Sequence, residues 1–148
     1  ETVALGVENQ EQVQEKVLMT KADLEQEFQP IFFRFDSSQL TYDGQRKVQE
    51  MSEAIKNAKF DAQIIIGGHT DPVGTKPYNY ALGRDRALTV RNHLVELGVE
   101  PSQLKIVSYG EATVLNSGKE SHDQLRRVEL GFTGPVFEPE IQQIGYSK

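Results

Sequence analysis

Cysteine is absent from the 148 residues, so no disulfide, thiolate nucleophile or thiolate metal site can form. The redox compartment stays open, because many exported domains need no bridge. No apolar run approaches the ~20 residues that a helix needs to span a membrane. A basic-then-apolar leader is missing as well; a chain that opens on Glu1 is expected to be a mature or trimmed form if it is exported. Positive charge is scarce: 16 Lys and Arg stand against 22 Asp and Glu, a net charge of −6. Nucleic-acid backbones and anionic lipid surfaces repel such a chain, and no basic stripe with interleaved aromatics offsets this. Internal repeats and low-complexity tracts are also lacking.

An apolar fraction of 37% with 26% charged residues suits one globular domain carrying polar extensions. Glu1 to Gln29 is rich in Glu and Gln with thinly spaced apolar residues, and reads as a linker with a partial helix. Ile31 to Phe35 is short, aromatic and β-branched, a strand that Asp36-Ser37-Ser38 breaks. Thr41 can cap a helix running to about Asn57, with Val48, Met51 and Ile55 on its core face. Ile64-Ile65-Ile66 forms a buried strand ending in Gly67-Gly68. Pro77 begins a second helix with Ala87, Val90, Leu94 and Leu97 on one face, and Gly98 stops it. Leu104 to Tyr109 is a third strand, Gly110 to Gln124 a polar connection, and Arg126 to Phe132 a strand with one wet face. Gly134 to Lys148 has no period and reads as a tail. The order β-α-β-α-β-β allows the early strands to lie parallel under helices, while the last two, joined without a helix, can be antiparallel.

The most informative stretch is His69 to Ala87, HTDPVGTKPYNYALGRDRA. Asp71 follows the second strand and Arg86 lies on the second helix, so a turn can bring the two charges together as a clamp for a zwitterion. A carboxylate suits an ammonium, and the planar fork of Arg suits a carboxylate. Asn79 and Arg86 are seven residues apart and share a helix face, with Leu82 on the neighbouring stripe. The helix N-terminus adds free N–H groups that favour a carboxylate.

The pattern Thr70, Asp71, Gly74, Tyr78, Asn79, Leu82, Arg86, Ala87 resembles the signature of the OmpA-like domain, from about Ile31 to Gly131. Phe35-Asp36-Ser37, Gly110-Glu111 and Arg126-Arg127-Val128-Glu129 agree in order. The resemblance implies an α/β fold, a β-α-β-α-β-β sandwich whose mixed parallel and antiparallel sheet is packed with helices, over residues 30–133. It implies non-catalytic binding of peptidoglycan through the diaminopimelate of its stem peptide, without cofactor or metal, on the periplasmic side of the outer membrane. Carried over by residue, Asp71 would hold the ammonium, Arg86 the carboxylate, and Asn79, Thr70 and Leu82 would shape the pocket. Asp36 and Ser37 would approach it on a loop. One of Arg126 and Arg127 would face its far side; which one stays open, and Arg127 is named as the candidate. Two positions depart from the family: Leu125 replaces a common Asn, and Gly83 replaces a common Ser and weakens the helix by about 1 kcal/mol relative to Ala.

Other readings are thinner. His69, His93 and His122 are scattered, and His69 with Asp71 lacks a third metal ligand. Ser37, His69 and Asp71 are not set on a nucleophile elbow, and Gly67-Gly68 with Gly74 is too sparse for a phosphate loop. Asp36 and Glu111 could serve as a glycan-cleaving carboxylate pair, but nothing beyond their place on loops argues for it, and a wall hydrolase is left without an activating constellation. A protein-interaction module of an envelope, stator or secretion assembly is the alternative, with contacts through the extensions. A barrel, a lipid anchor or a membrane helix before Glu1 would each be compatible with the same module.

Overall fold

A computed structural model describes residues 20–58, 63–112 and 121–132. The tail from Gly134 and the first 19 residues of the expected linker lie outside them. A short helix α1 (Lys21–Gln26) precedes β1 (Ile31–Phe32), α2 (Tyr42–Ala58), β2 (Ile64–His69) and α3 (Lys76–Glu96). A 3-10 turn (Pro101–Gln103) leads to β3 (Leu104–Gly110), then α4 (His122–Leu125) and β4 (Arg127–Gly131). The four strands form one mixed sheet in the order β1-β4-β2-β3. β2 and β3 are parallel, pairing Ile64 with Leu104 and Gly68 with Ser108. β4 enters antiparallel between β1 and β2, with Val128 opposite both Ile31 and Gly68. The last two strands therefore run in opposite directions, as their connection allows, but they are not neighbours.

Local chemistry sets the helix bounds. The Thr41 hydroxyl accepts from the Gly44 N–H at 3.0 Å, and Thr75 caps α3 by accepting from Tyr78 N–H, one residue after Pro77 in the first turn. Gly98, at φ +106°, ends α3, and Lys56 donates to the Leu97 carbonyl at 2.7 Å. Val48, Met51 and Ile55 of α2 and Ala87, Val90 and Leu94 of α3 are buried against Ile31, Ile64, Ile66, Leu104 and Val128. Leu24 of α1 is buried in the same core, behind a capping box made by Thr20 and Asp23. Part of the expected polar connection is helical, capped by Ser121 and Gln124.

Three local expectations need correction. β1 stops at Phe32 rather than Phe35, because the carbonyls of Arg34 and Ser37 turn away to a side chain of α3. β4 has no wet face: Arg127 is 2% exposed, held by Glu129 at 2.8 Å on the sheet face where His69 stacks on Tyr109. Gly83 is a packing requirement rather than a weakness. A Cβ on Gly83 would meet Ser108 Oγ at 2.6 Å, and a Cβ on Gly68 would stand 1.8 Å from the Gly83 carbonyl oxygen. Helix α3 crosses β2 at this pair of glycines, and the close approach sets how near Asn79 and Arg86 come to the strand end.

Gly68→Ala is therefore expected to lower stability by about 3 kcal/mol or more, since backbone must shift. Gly98→Ala, whose nearest neighbour is the flexible Lys56 chain, is expected to cost about 1 kcal/mol through its φ alone. Urea denaturation of both variants checks the order; equal losses would refute the close-approach account.

Candidate functional site

The end of β2, the first turns of α3 and the loop after β1 enclose a pocket of about 210 Å³. Phe35, Asp36, Asp71, Val73, Gly74, Tyr78, Asn79, Leu82 and Arg86 line it. Its size suits an amino-acid head group rather than a larger ligand.

Asp71 is 4% exposed. One carboxylate oxygen accepts from Val73 N–H at 3.1 Å, closing a turn; the other accepts from Arg126 Nη1 at 3.3 Å. Asn79 is fixed by its amide, whose Nδ2 donates to the carbonyls of Asp71 and Val73 and to Glu111 Oε1 at 2.8 Å. That leaves Asn79 Oδ1 without a hydrogen bond among the described residues, lying against Gly74 in the pocket wall. Tyr78 donates from its phenol to Asp36 Oδ1, joining helix and loop across the pocket, and this bond raises the Tyr78 pKa. Asp36 stands at φ +54°, the one non-glycine residue with positive φ among the described residues.

Arg86 is fully buried. Its Nε donates to Ser37 O at 2.8 Å, Nη1 to His69 O at 2.9 Å and Nη2 to Arg34 O at 3.1 Å. The guanidinium also sits 5.3 Å from the centre of the Phe33 ring. Burial pulls its pKa down to about 10, against the opposing pull of Asp71, so it remains a cation at neutral pH. Three of five N–H groups hold backbone, which leaves two uncommitted among the described residues.

Five of the eight residues singled out from sequence meet here: Asp71, Arg86, Asn79, Asp36 and Leu82. Thr70 and Ser37 do not line the pocket. Thr70 is buried and donates to the Asp71 carbonyl, while the Ser37 hydroxyl accepts from Gln39 N–H. Arg127 is not brought to the pocket either, because its side chain leaves the opposite face of β4 toward Glu129. Arg126 is the arginine that reaches Asp71. Asp71 and Arg86 of the expected clamp both line the pocket without pairing with each other: Asp71 is paired with Arg126, and Arg86 with backbone. Sequence reasoning also passed over Tyr78 and Phe35 as wall residues, although both lie inside the quoted motifs.

The OmpA family model matches residues 32–127. The chain belongs to the OmpA family. It is 40% identical over 101 residues to the peptidoglycan-associated lipoprotein of Pseudomonas aeruginosa, covering 67% of this chain and 59% of that protein. It is 34% identical to the lipoprotein of the same name from Haemophilus influenzae, covering 75% and 73%. The chain spans about three fifths of the length of the two Pseudomonas relatives. Among solved structures, the peptidoglycan-associated lipoprotein of Burkholderia pseudomallei superposes with TM-score 0.63 at 36% identity, covering 69% of this chain and 87% of that one. The C-terminal domain of Helicobacter pylori MotB superposes with TM-score 0.65 at 23% identity, covering 80% and 92%, a likeness of fold. These matches bear out the OmpA-like mixed α/β fold read from the sequence.

Arg86 and His69, both buried in this OmpA-family domain, each generate a prediction. Arg86→Met leaves the three carbonyls without their donor and is expected to cost about 3–5 kcal/mol of stability. Arg86→Lys should recover only part, since one ammonium lacks the fork; full recovery in urea denaturation would refute the three-carbonyl role. The second concerns His69, buried between Tyr109 and Glu129 with Arg127 nearby. Burial, then the Arg127 charge, holds its pKa well below the ordinary value of 6.5. The unfolded chain then binds the extra proton, so stability is complete above about pH 6.5 and falls as pH drops toward the folded value, by at most about 1.4 kcal/mol per unit. His69→Gln is expected to flatten that slope between pH 7 and 5; an unchanged slope would assign it to other groups.

Proposed function

We propose that this domain is a non-catalytic binding module that grips the diaminopimelate of a peptidoglycan stem peptide and so tethers an envelope protein to the cell wall from the periplasmic side of the outer membrane. The observation that carries this reading is the composition of the pocket. Asp36, Asp71 and Asn79 Oδ1 offer acceptors, and the remaining N–H groups of Arg86 offer donors, within about 210 Å³. An ammonium is matched by the acidic wall and a carboxylate by Arg86, so a side chain bearing both is recognised as a zwitterion. The peptidoglycan association carried in the names of relatives 34% to 40% identical supports the same reading. A pocket whose side chains are already held by Arg86, Asn79 and Tyr78 also spares the ordering cost of binding.

The test is calorimetric titration with a diaminopimelate-containing stem peptide beside one carrying lysine, which has the ammonium but lacks the second carboxylate. Preference for the first peptide is expected, together with a loss on the order of 2–4 kcal/mol in Asp71→Ala. Asp71 is the better probe than Arg86, whose removal acts on the fold itself. Equal binding of both peptides, or undiminished binding by folded Asp71→Ala, would overturn the reading.

A further inference from the structure

A second cavity, of about 400 Å³, lies beside the first on the other side of Arg126. Phe32, Phe33 and Arg34 of the first strand and its exit, Thr41 ahead of α2, and Asp123, Gln124 and Arg126 around α4 line it. Arg126 belongs to both neighbourhoods: Nε donates to the Phe33 carbonyl at 3.0 Å and Nη1 to Asp71 at 3.3 Å. Its Nη2 carries no hydrogen bond among the described residues. The Arg34 guanidinium makes no hydrogen bond or ion pair there either, although the Arg34 carbonyl is held by Arg86. Asp123, the one carboxylate of the lining, is engaged by the Ser121 hydroxyl. Two cations thus stand beside one anion, Asp123, with the Arg34 guanidinium and Arg126 Nη2 uncommitted among the described residues, over a wall built from Phe32 and Phe33.

A guanidinium fork with free N–H groups recognises a carboxylate better than any other common group. The Asp71 pocket has few donors to give, because Arg86 spends three on backbone. Beyond the two N–H groups left on Arg86, Arg126 Nη2 is uncommitted, and Arg126 lines the larger cavity. We propose that this cavity is a second carboxylate subsite, in which Arg34 and Arg126 receive a further carboxylate of the same peptide whose zwitterionic side chain enters the Asp71 pocket. The inference rests on the peptide-binding reading above and extends it: the ligand is an anionic oligopeptide held at two points, across the Asp71–Arg126 pair. That carboxylate comes from an acidic residue of the peptide or from its chain end.

Three stem peptides test this, all keeping the zwitterionic diaminopimelate: one with both other carboxylates free, one with the acidic residue amidated, and one with the chain end amidated. Wild type is expected to lose about five- to tenfold in affinity on one of the two amidations, which identifies the source. Arg34→Gln keeps the carbonyl that Arg86 uses, so its unfolding midpoint should match wild type. It should bind the free peptide five- to tenfold more weakly and lose less than twofold on the same amidation. Arg34→Lys should fall between. Full amidation sensitivity in Arg34→Gln, or indifference of wild type to both amidations while binding still needs Asp71, would overturn the second subsite and leave the first. Absence of Asp71-dependent binding to any of the peptides would overturn both.

Discussion

The buried guanidinium of Arg86 is the interaction on which the site depends. A charge with no exposed surface needs its N–H groups satisfied inside the protein. Here the satisfaction comes from three backbone carbonyls in two separate segments, the exit of β1 and the end of β2. The side chain therefore acts as a pin. It ends the first strand early, sets the loop carrying Phe35 and Asp36 over the pocket, and fixes that loop to the strand that delivers Asp71. Asn79 repeats the device on a smaller scale, tying the Asp71 and Val73 carbonyls to Glu111. The residues that line the pocket are also the ones that hold the surrounding backbone together.

Much of the fold was legible in the sequence because periodicity and caps agreed. Thr41, Pro77 and Gly98 marked helix ends that the structure keeps, and the buried faces of α2 and α3 follow their apolar spacing. The insertion of β4 between β1 and β2 was not legible, since strand order depends on pairings distant in sequence that no local pattern records. Gly83 shows the limit from another side. Helix propensity describes a residue against water, whereas this glycine faces the backbone of Gly68.

The site was legible as a set of residue types and less so as a set of contacts. Asp71, Asn79, Leu82, Asp36 and Arg86 converge because the turn and the helix repeat require it. Which of Arg126 and Arg127 faces the pocket was decided by the register of β4, where a shift of one residue exchanges the two faces. Arg127 pairs with Phe32 across the sheet, and Arg126, just ahead of the strand, is free to turn toward Asp71. The partner of Arg86 was also out of reach, because backbone carbonyls carry no signature in a sequence.

The central place of β4 has a consequence for how the molecule comes into being. The last strand of the sheet in chain order joins the first to the second, so β1 has no strand neighbour until Arg127 and Val128 are available. A nascent or truncated chain ending before that point has the helices and the β2–β3 pair, yet its first strand lacks the strand it pairs with. Assembly is then an all-or-none event that waits for the far end of the domain, a long-range closure of the kind that slows folding. The sheet that carries the Asp71 pocket is therefore complete only when the far end of the domain has joined it.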